Sequence, residues 1–248
     1  MEERGRPRER PGEQWTPQTV LRTLPYPYPP CTTTSASSNR SPPNPIPFFH
    51  LLERLKTTPR SGWLQVGIPH GESISDHMYR MAVMAMIPPP SLAPRLDVAR
   101  CIAMALVHDM AECLVGDFTP RDTGVSKREK ARREGATMEY IQGGLLGFLK
   151  QGSAHGGDLM GLFHEYEANT TLEARFVHDV DKLEMLLQVL EYERATGRRL
   201  DEFYHVVEEI GLAEMREWAG VVVQEREEFF AVTALFHERY SCPSIIGG

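Results

Sequence analysis

The chain has 248 residues, 41% hydrophobic and 25% charged, ordinary proportions for a globular protein with a sizeable core. A net charge of −7 and a pI near 5.7 have the wrong sign for holding a nucleic-acid polymer through many phosphates. No apolar run approaches the roughly 20 residues needed to cross a bilayer, so neither a polymer nor a membrane is an expected partner.

Eleven of the nineteen prolines fall within the first 47 residues, beside a Thr/Ser tract from Thr32 to Ser38, so residues 1–45 are expected to be a disordered tail. Its early arginines alternate with Glu2, Glu3, Glu9 and Glu13 and no apolar stretch follows, which argues against a secretory leader. A cytoplasmic or nuclear location is expected, with organelle import by the tail left open. A folded domain is expected over 46–240, ahead of a flexible end at 241–248.

Behind Pro47, the apolar residues Phe48, Leu51, Leu52 and Leu55 recur at helical spacing. A second helix is expected from near Asp76 to the stop at Pro88-Pro89-Pro90, and a third from about Pro94 to Val115. Ser126-Lys127-Arg128-Glu129 reads as a capping box opening a helix toward Leu149, with a Gly-rich break at 152–161. Helical patterns then cover 162–169, 172–196, 201–210 and 213–239. Alternating strand patterns are nearly absent, so the expected fold is all-α. Cys101 and Cys113 fall in apolar helical pattern, and none of the four cysteines, Cys31 and Cys242 included, has C-x-x-C or zinc-ribbon spacing; free thiols in a reducing compartment are expected.

The third helix carries the most chemistry. Its apolar stripe of Val98, Ile102, Ala105 and Leu106 continues onto Asp109, Glu112 and Cys113, placing acids where a core residue belongs. A buried carboxylate costs several kcal/mol unless a cation, a hydrogen-bond network or a wet cleft offsets it. His108 stands next to Asp109; a single His-Asp pair carries little, and His178-Asp179 is another. The constellation carries more. His77 lies near a helix start, and Asp181 interrupts the stripe of the 172–196 helix, although periodicity alone does not choose Asp181 over Asp179. Imidazoles and carboxylates without thiolates suit a divalent ion such as Mn²⁺, Co²⁺ or Fe²⁺ better than a structural zinc.

This H…HD…D pattern resembles the HD superfamily of metal-dependent phosphohydrolases. The words PRSGW (59–63), ESISDHMYRMAVMAM (72–86), ALVHDMAECLVGDFTP (105–120), SKREKARRE (126–134) and FVHDVDKLEMLLQVLEYE (176–193) resemble its 5′-deoxynucleotidases, of the HD domain-containing protein 2 type. The resemblance covers about residues 46–205. It implies an HD-domain helical bundle with the metal site between helices, and a ligand quartet of His77, His108, Asp109 and Asp181. Asp179 is then an incidental surface acid. The family implies for Glu112 and Asp117 either catalytic proton handling or ligation of a second ion; the plainer readings are a carboxylate steering a ligand histidine for Glu112 and a turn residue for Asp117. Arg60 and Trp63 are implied contacts for phosphate and sugar, against a solvated loop charge and a core residue. Lys127 and Arg128 are weaker phosphate candidates.

The resemblance implies hydrolysis of 2′-deoxynucleoside 5′-monophosphates with Mn²⁺, Co²⁺ or Mg²⁺ ahead of Zn²⁺, in a homodimer. The rivals are a phosphodiesterase or nucleoside triphosphate hydrolase on the same quartet, and a catalytically silent nucleotide-sensing module. The early prolines, the Pro88-Pro89-Pro90 break, the Gly-rich segment and the chain beyond about Leu212 depart from the family pattern, and none of them touches the quartet.

Overall fold

A computed structural model describes residues 14–24, 44–119, 122, 124–149 and 158–240, with side chains through residue 235. Its described residues are helical, apart from turns and an isolated bridge between Pro59 and Ser73, as the all-α reading expects. Within the segment expected to lack packed structure, α1 (Pro17–Leu21) is a single capped turn: Thr16 and Thr19 cap each other, and Trp15 and Val20 are buried. The rest of the expected tail, residues 1–13 and 25–43, lies outside the described residues, as do Cys31, Cys242 and the end at 241–248.

α2 (Ile46–Thr57) opens among prolines, whose fixed φ suits a first turn, and buries Phe48, Leu51 and Leu55. α3 (Ser61–Gln65) is short. α4 (Ile74–Ala85) starts earlier than its sequence reading because Ser73, not Asp76, caps it: the Ser73 hydroxyl accepts from the Asp76 N–H and the Asp76 carboxylate accepts from the Ser73 N–H.

The expected helix from Pro94 to Val115 is two helices with a corner between them. α5 (Val98–Ala105), capped by Asp97, gives way at Leu106 to tight turns, and α6 (Glu112–Val115) follows. Past His108 the backbone bonds tighten to span three residues, as in Met110 N–H to Val107 O and Glu112 N–H to Asp109 O, both 3.0 Å. The Ala105 carbonyl, which a continuous α-helix would give to the Asp109 N–H, is instead bonded by the His108 ring.

α7 (Lys127–Glu139) opens on Ser126, whose hydroxyl accepts from the Glu129 N–H; the Glu129 carboxylate leaves the box open and pairs with Arg132 and Arg133. The chain does not continue as α-helix to Leu149. From Tyr140 to Leu145 it widens into a π-turn, and a Cβ on Gly147 would land 2.2 Å from the Gly143 carbonyl oxygen, so that exit requires glycine. α8 (Leu159–Ala168) starts inside the expected Gly-rich break, of which residues 152–157 lie outside the described residues. α9 (Leu172–Thr196) has the expected bounds, set by a Thr171 cap and by Gly197 at φ +69°. A 3₁₀ segment (Asp201–Glu209) leads to α10 (Ala213–Tyr240).

α9 is the central beam. It packs against α4, α5, α8, α10 and the 3₁₀ segment, burying Phe176, Leu186 and Leu190 with Ile74 and Met81 of α4. Trp15 and Val20 join this core at α6 and α7, where the Arg132 and Arg133 guanidinium groups lie over the Trp15 ring at 5.9 and 5.4 Å. A smaller cluster of Trp63, Ile68, Val189 and Leu200 flanks the beam. Cys101 and Cys113 are buried free thiols. No helix among the described residues is long and apolar enough to cross a membrane.

Glu193 of α9 is fully buried and satisfied: Arg226 of α10 reaches both its oxygens at 2.8 Å, and the Tyr204 hydroxyl and Leu200 N–H donate as well. Arg226→Ala would leave that carboxylate buried beside fewer donors, at about 3 kcal/mol or more. Thermal unfolding of the variant is expected about 6 °C or more below wild type, with the helix content intact at 25 °C; an unchanged midpoint would show that α10 docks independently of this pair.

Candidate metal centre

His77 sits in the first turn of α4 and is fully buried. Its Nδ1 lies 2.5 Å from Glu184 Oε2 of α9, and a carboxylate there accepts the Nδ1 proton. At the α5–α6 corner His108 does the same with a carbonyl: its Nδ1 donates to Ala105 O at 2.9 Å. Both rings therefore turn Nε2 toward one point. These two nitrogens are buried and have no hydrogen-bond partner, an arrangement that costs free energy unless something cationic binds them.

Carboxylates meet them there. Asp181 Oδ1 lies 3.1 Å from His77 Nε2 without hydrogen-bond geometry, and His77, His108 and Asp181 place ligand atoms within 4.8 Å of one another. Asp109 joins from the side, its Oδ2 3.2 Å from His108 Nε2 and 3.9 Å from His77 Nε2, while Arg60 Nη1 donates to that oxygen at 2.9 Å. The four residues implied as ligands are thus brought together from α4, the α5–α6 corner and α9. The donor set, two imidazole nitrogens and two hard oxygens, fits a divalent cation.

The electrostatics agree with an acceptor-rich hole. Burial raises the cost of ionising Asp109 and Asp181, but His108, His77 and Arg60 outweigh it and hold both carboxyls below their usual range. Burial and Arg60 oppose charge on His77, and the Asp181 and Glu184 carboxylates outweigh them, raising its pKa to about 9. A cation at Nε2 competes with that proton. Glu112 behaves oppositely. It is 2% exposed, and burial followed by Asp109 and Asp117 pushes it well above the ordinary range, only partly countered by Lys130 and Arg60. Its Oε2 has no partner, and Oε1 is 3.5 Å from Lys130 Nζ.

Asp117 is buried after Gly116, which adopts φ +83°. Its Oδ2 accepts the Ser61 N–H at 2.5 Å and its carbonyl accepts the Ser61 hydroxyl, so it pins the first residue of α3 and, with it, neighbouring Arg60. A cleft of about 770 Å³ opens over the centre, and Arg60, His108, Asp109, Glu112, Asp117 and Asp181 all line it. Lys127 reaches the lining; Arg128 is exposed and outside it. Trp63 borders the cleft but is a core residue, 2% exposed, donating its Nε1–H to Glu72.

Three neighbours were not singled out from the sequence. Glu184, used there only for register, orients His77; its signal was a glutamate one turn from Asp181 on the same face. Tyr166 of α8 donates its hydroxyl to Asp181 Oδ2 at 3.1 Å and stacks on His178, so His178 is spent on α8. Lys130 sits one turn after Lys127 and bridges Glu112 and Glu134. Asp179 is corrected: it is not a surface acid but buried, accepting the N–H groups of Gly211 at 2.9 Å and Leu212 at 2.7 Å just ahead of α10.

Such a layout, imidazoles and carboxylates from separate helical segments beneath a cleft, is that of a divalent-metal centre in a helical protein. The chain belongs to the HD-domain family, whose profile matches residues 52–217. It is 44% identical over 188 residues to the 5′-deoxynucleotidase hdd1 of Schizosaccharomyces pombe, covering 75% of this chain and 92% of that one. The 5′-deoxynucleotidase HDDC2 of Xenopus laevis is 46% identical over 162 residues, 64% of this chain and 76% of the relative. Among solved structures, the HD domain-containing protein YGK1 superposes with a TM-score of 0.60 at 32% identity, covering 77% of this chain and 91% of that one.

The two aspartates of α9 should separate by readout. Asp181→Asn is expected to lose bound metal, read by elemental analysis, with little change in melting temperature. Asp179→Asn is expected to keep its metal and lose about 1–3 kcal/mol of stability, because an amide cannot accept both N–H groups as a carboxylate does. Equal metal loss in both would mean that the register of α9 at the centre is misread.

Proposed function

We propose that this chain is a metal-dependent 5′-deoxynucleotidase, hydrolysing 2′-deoxynucleoside 5′-monophosphates to deoxynucleoside and phosphate. The observation that carries the reading is the pair of buried, unpartnered Nε2 atoms of His77 and His108, oriented by their Nδ1 bonds and faced by Asp109 and Asp181. These four residues would hold the ion; Mn²⁺, Co²⁺ or Mg²⁺ is placed ahead of Zn²⁺ on the family resemblance, and the lack of a thiolate argues only against a structural zinc. A divalent ion supplies positive charge against phosphoryl oxygens and makes water acidic enough to attack near neutral pH.

The chain's own groups do the rest. Arg60 is held charged, burial opposing and Asp117 and Asp109 prevailing, and its planar fork suits the equatorial oxygens of a phosphate. Glu112, kept protonated by burial and by the two aspartates, has its unpartnered Oε2 to donate a proton to the departing 5′-oxygen. Asp117, with Oδ2 committed to Ser61, serves this chemistry by holding Arg60 in place rather than by binding a second ion. Lys130 adds positive charge at the Glu112 end of the cleft.

Two features favour deoxyribose and tolerance of the base. Beside Arg60 the cleft wall is Gly62, Trp63 and Phe118, where a 2′-hydroxyl would lose water without gaining a partner. Gln65 is an amide in the lining, and its Nε2 is taken by Thr119 Oγ1 at 2.9 Å rather than offered to a base edge. The homodimer belongs to the same proposal: Tyr79, Val83, Met86 and Ile87 form an exposed apolar stripe along one side of α4 and just past its end, which a second copy would cover.

Deoxynucleoside monophosphates are expected to turn over about 5- to 150-fold more efficiently than the ribonucleotides, with the four bases nearly equal. Chelation should abolish phosphate release and Mn²⁺ or Co²⁺ restore it, and Asp109→Ala should lose both metal and turnover. Equal efficiency on dAMP and AMP would make it a general nucleotide phosphatase. Turnover confined to phosphodiesters or triphosphates, or binding without turnover, would favour the other HD reactions or a nucleotide sensor.

A further inference from the structure

The tryptophan that the resemblance assigns to the sugar has almost no face to offer. Trp63 is met edge-on by Tyr192, with ring centroids 5.1 Å apart, and covered at 4.9 Å by Phe203, and its indole N–H is spent on Glu72. Phe203 stands on the cleft side of that stack. It comes from the 3₁₀ segment after α9, is partly exposed, and lines the cleft with Met185 and Val206. Gly62, also in the lining, lies beside its ring: a Cβ there would be in ordinary contact, 3.7 Å from Phe203 Cε1.

We propose that Phe203, backed by Trp63 and flanked by Met185 and Val206, is the platform on which the nucleobase of the substrate stacks. This inference rests on the deoxynucleotidase reading. With phosphate at Arg60 and the metal centre, a base projecting along the same cleft meets this aromatic and apolar wall. Stacking uses the π-face that every base has, so the platform supplies affinity without choosing among bases. Trp63 acts through Phe203: its fixed position, locked by Tyr192 and Glu72, holds the exposed ring in place.

The test compares dAMP and dCMP with 2-deoxyribose 5-phosphate, the same ester without a base, on the full metal-loaded chain. Phe203→Ala and Phe203→Leu are expected to raise the KM for dAMP and for dCMP alike, by about tenfold, because each base loses the ring on which it stacks. Phe203→Tyr should keep the wild-type KM. The apparent affinity for 2-deoxyribose 5-phosphate, measured as substrate or competitor, should not move in any variant. Phe203→Leu preserves apolar bulk, so a loss there at unchanged melting temperature reports the flat ring rather than a damaged wall. An unchanged dAMP KM in Phe203→Leu, or a parallel loss for the base-less ester, would overturn the proposal. A wild type that releases no phosphate from any deoxynucleoside monophosphate would sink the parent reading and this one with it, a failure seen before any substitution is made.

Discussion

The short bond between His77 and Glu184 is the contact on which the rest of the centre depends. Glu184 is fully buried, which would be costly for a lone carboxylate; His77 Nδ1 and Arg80 Nε, at 2.5 and 2.7 Å, offset that cost. In satisfying itself, the carboxylate couples α4 to α9 and fixes the imidazole. An imidazole free to rotate would present either nitrogen, whereas this one presents Nε2 alone. The position of Asp181, one turn before Glu184 on the same helix, then follows from helical geometry.

The corner between α5 and α6 solves a second problem. Adjacent residues on a continuous helix point about 100° apart, which makes it awkward for His108 and Asp109 to address one site. Ending α5 at Ala105 releases that residue's carbonyl to the His108 ring and lets the backbone tighten. The ring is thereby oriented by the main chain, with no second carboxylate needed. The same corner starts α6 at Glu112, so the proposed proton donor and two of the proposed ligands share one short turn of chain and their spacing is set locally.

Local signals were legible in the sequence and long-range partners were not. α9 was bounded to the residue because a threonine cap, an apolar period and a terminal glycine all act within a turn of where they are read. That His77, His108, Asp109 and Asp181 meet was legible through family words, which encode a packing arrangement that periodicity cannot. Asp179 was misjudged because its partners, Gly211 and Leu212, are more than thirty residues on; nothing near it announces that it holds the start of α10. The break at Leu106 was hidden because Leu106 to Cys113 keeps helical spacing of apolar residues even where the backbone is tighter. Phe203 was invisible for a related reason: its role comes from facing Trp63, 140 positions earlier, and not from its neighbours in the chain.

Trp15 shows where the family's boundary and the folding unit's boundary part. The family match begins at residue 52, yet the indole is 5% exposed and lies under the Arg132 and Arg133 guanidinium groups of α7, with Arg132 donating to its carbonyl. A fragment trimmed to the matched region would retain the whole quartet while losing Trp15, Val20, Phe48 and Leu51 ahead of it and Ala219, Val222 and Arg226 behind it, all of them buried. Such a fragment would carry the inherited chemistry in a stickier body, prone to associate through the uncovered patch. The ancestry of a site and the chain that covers its core are separate properties, and in this protein buried side chains on both sides of the matched region, from Trp15 to Arg226, make the difference.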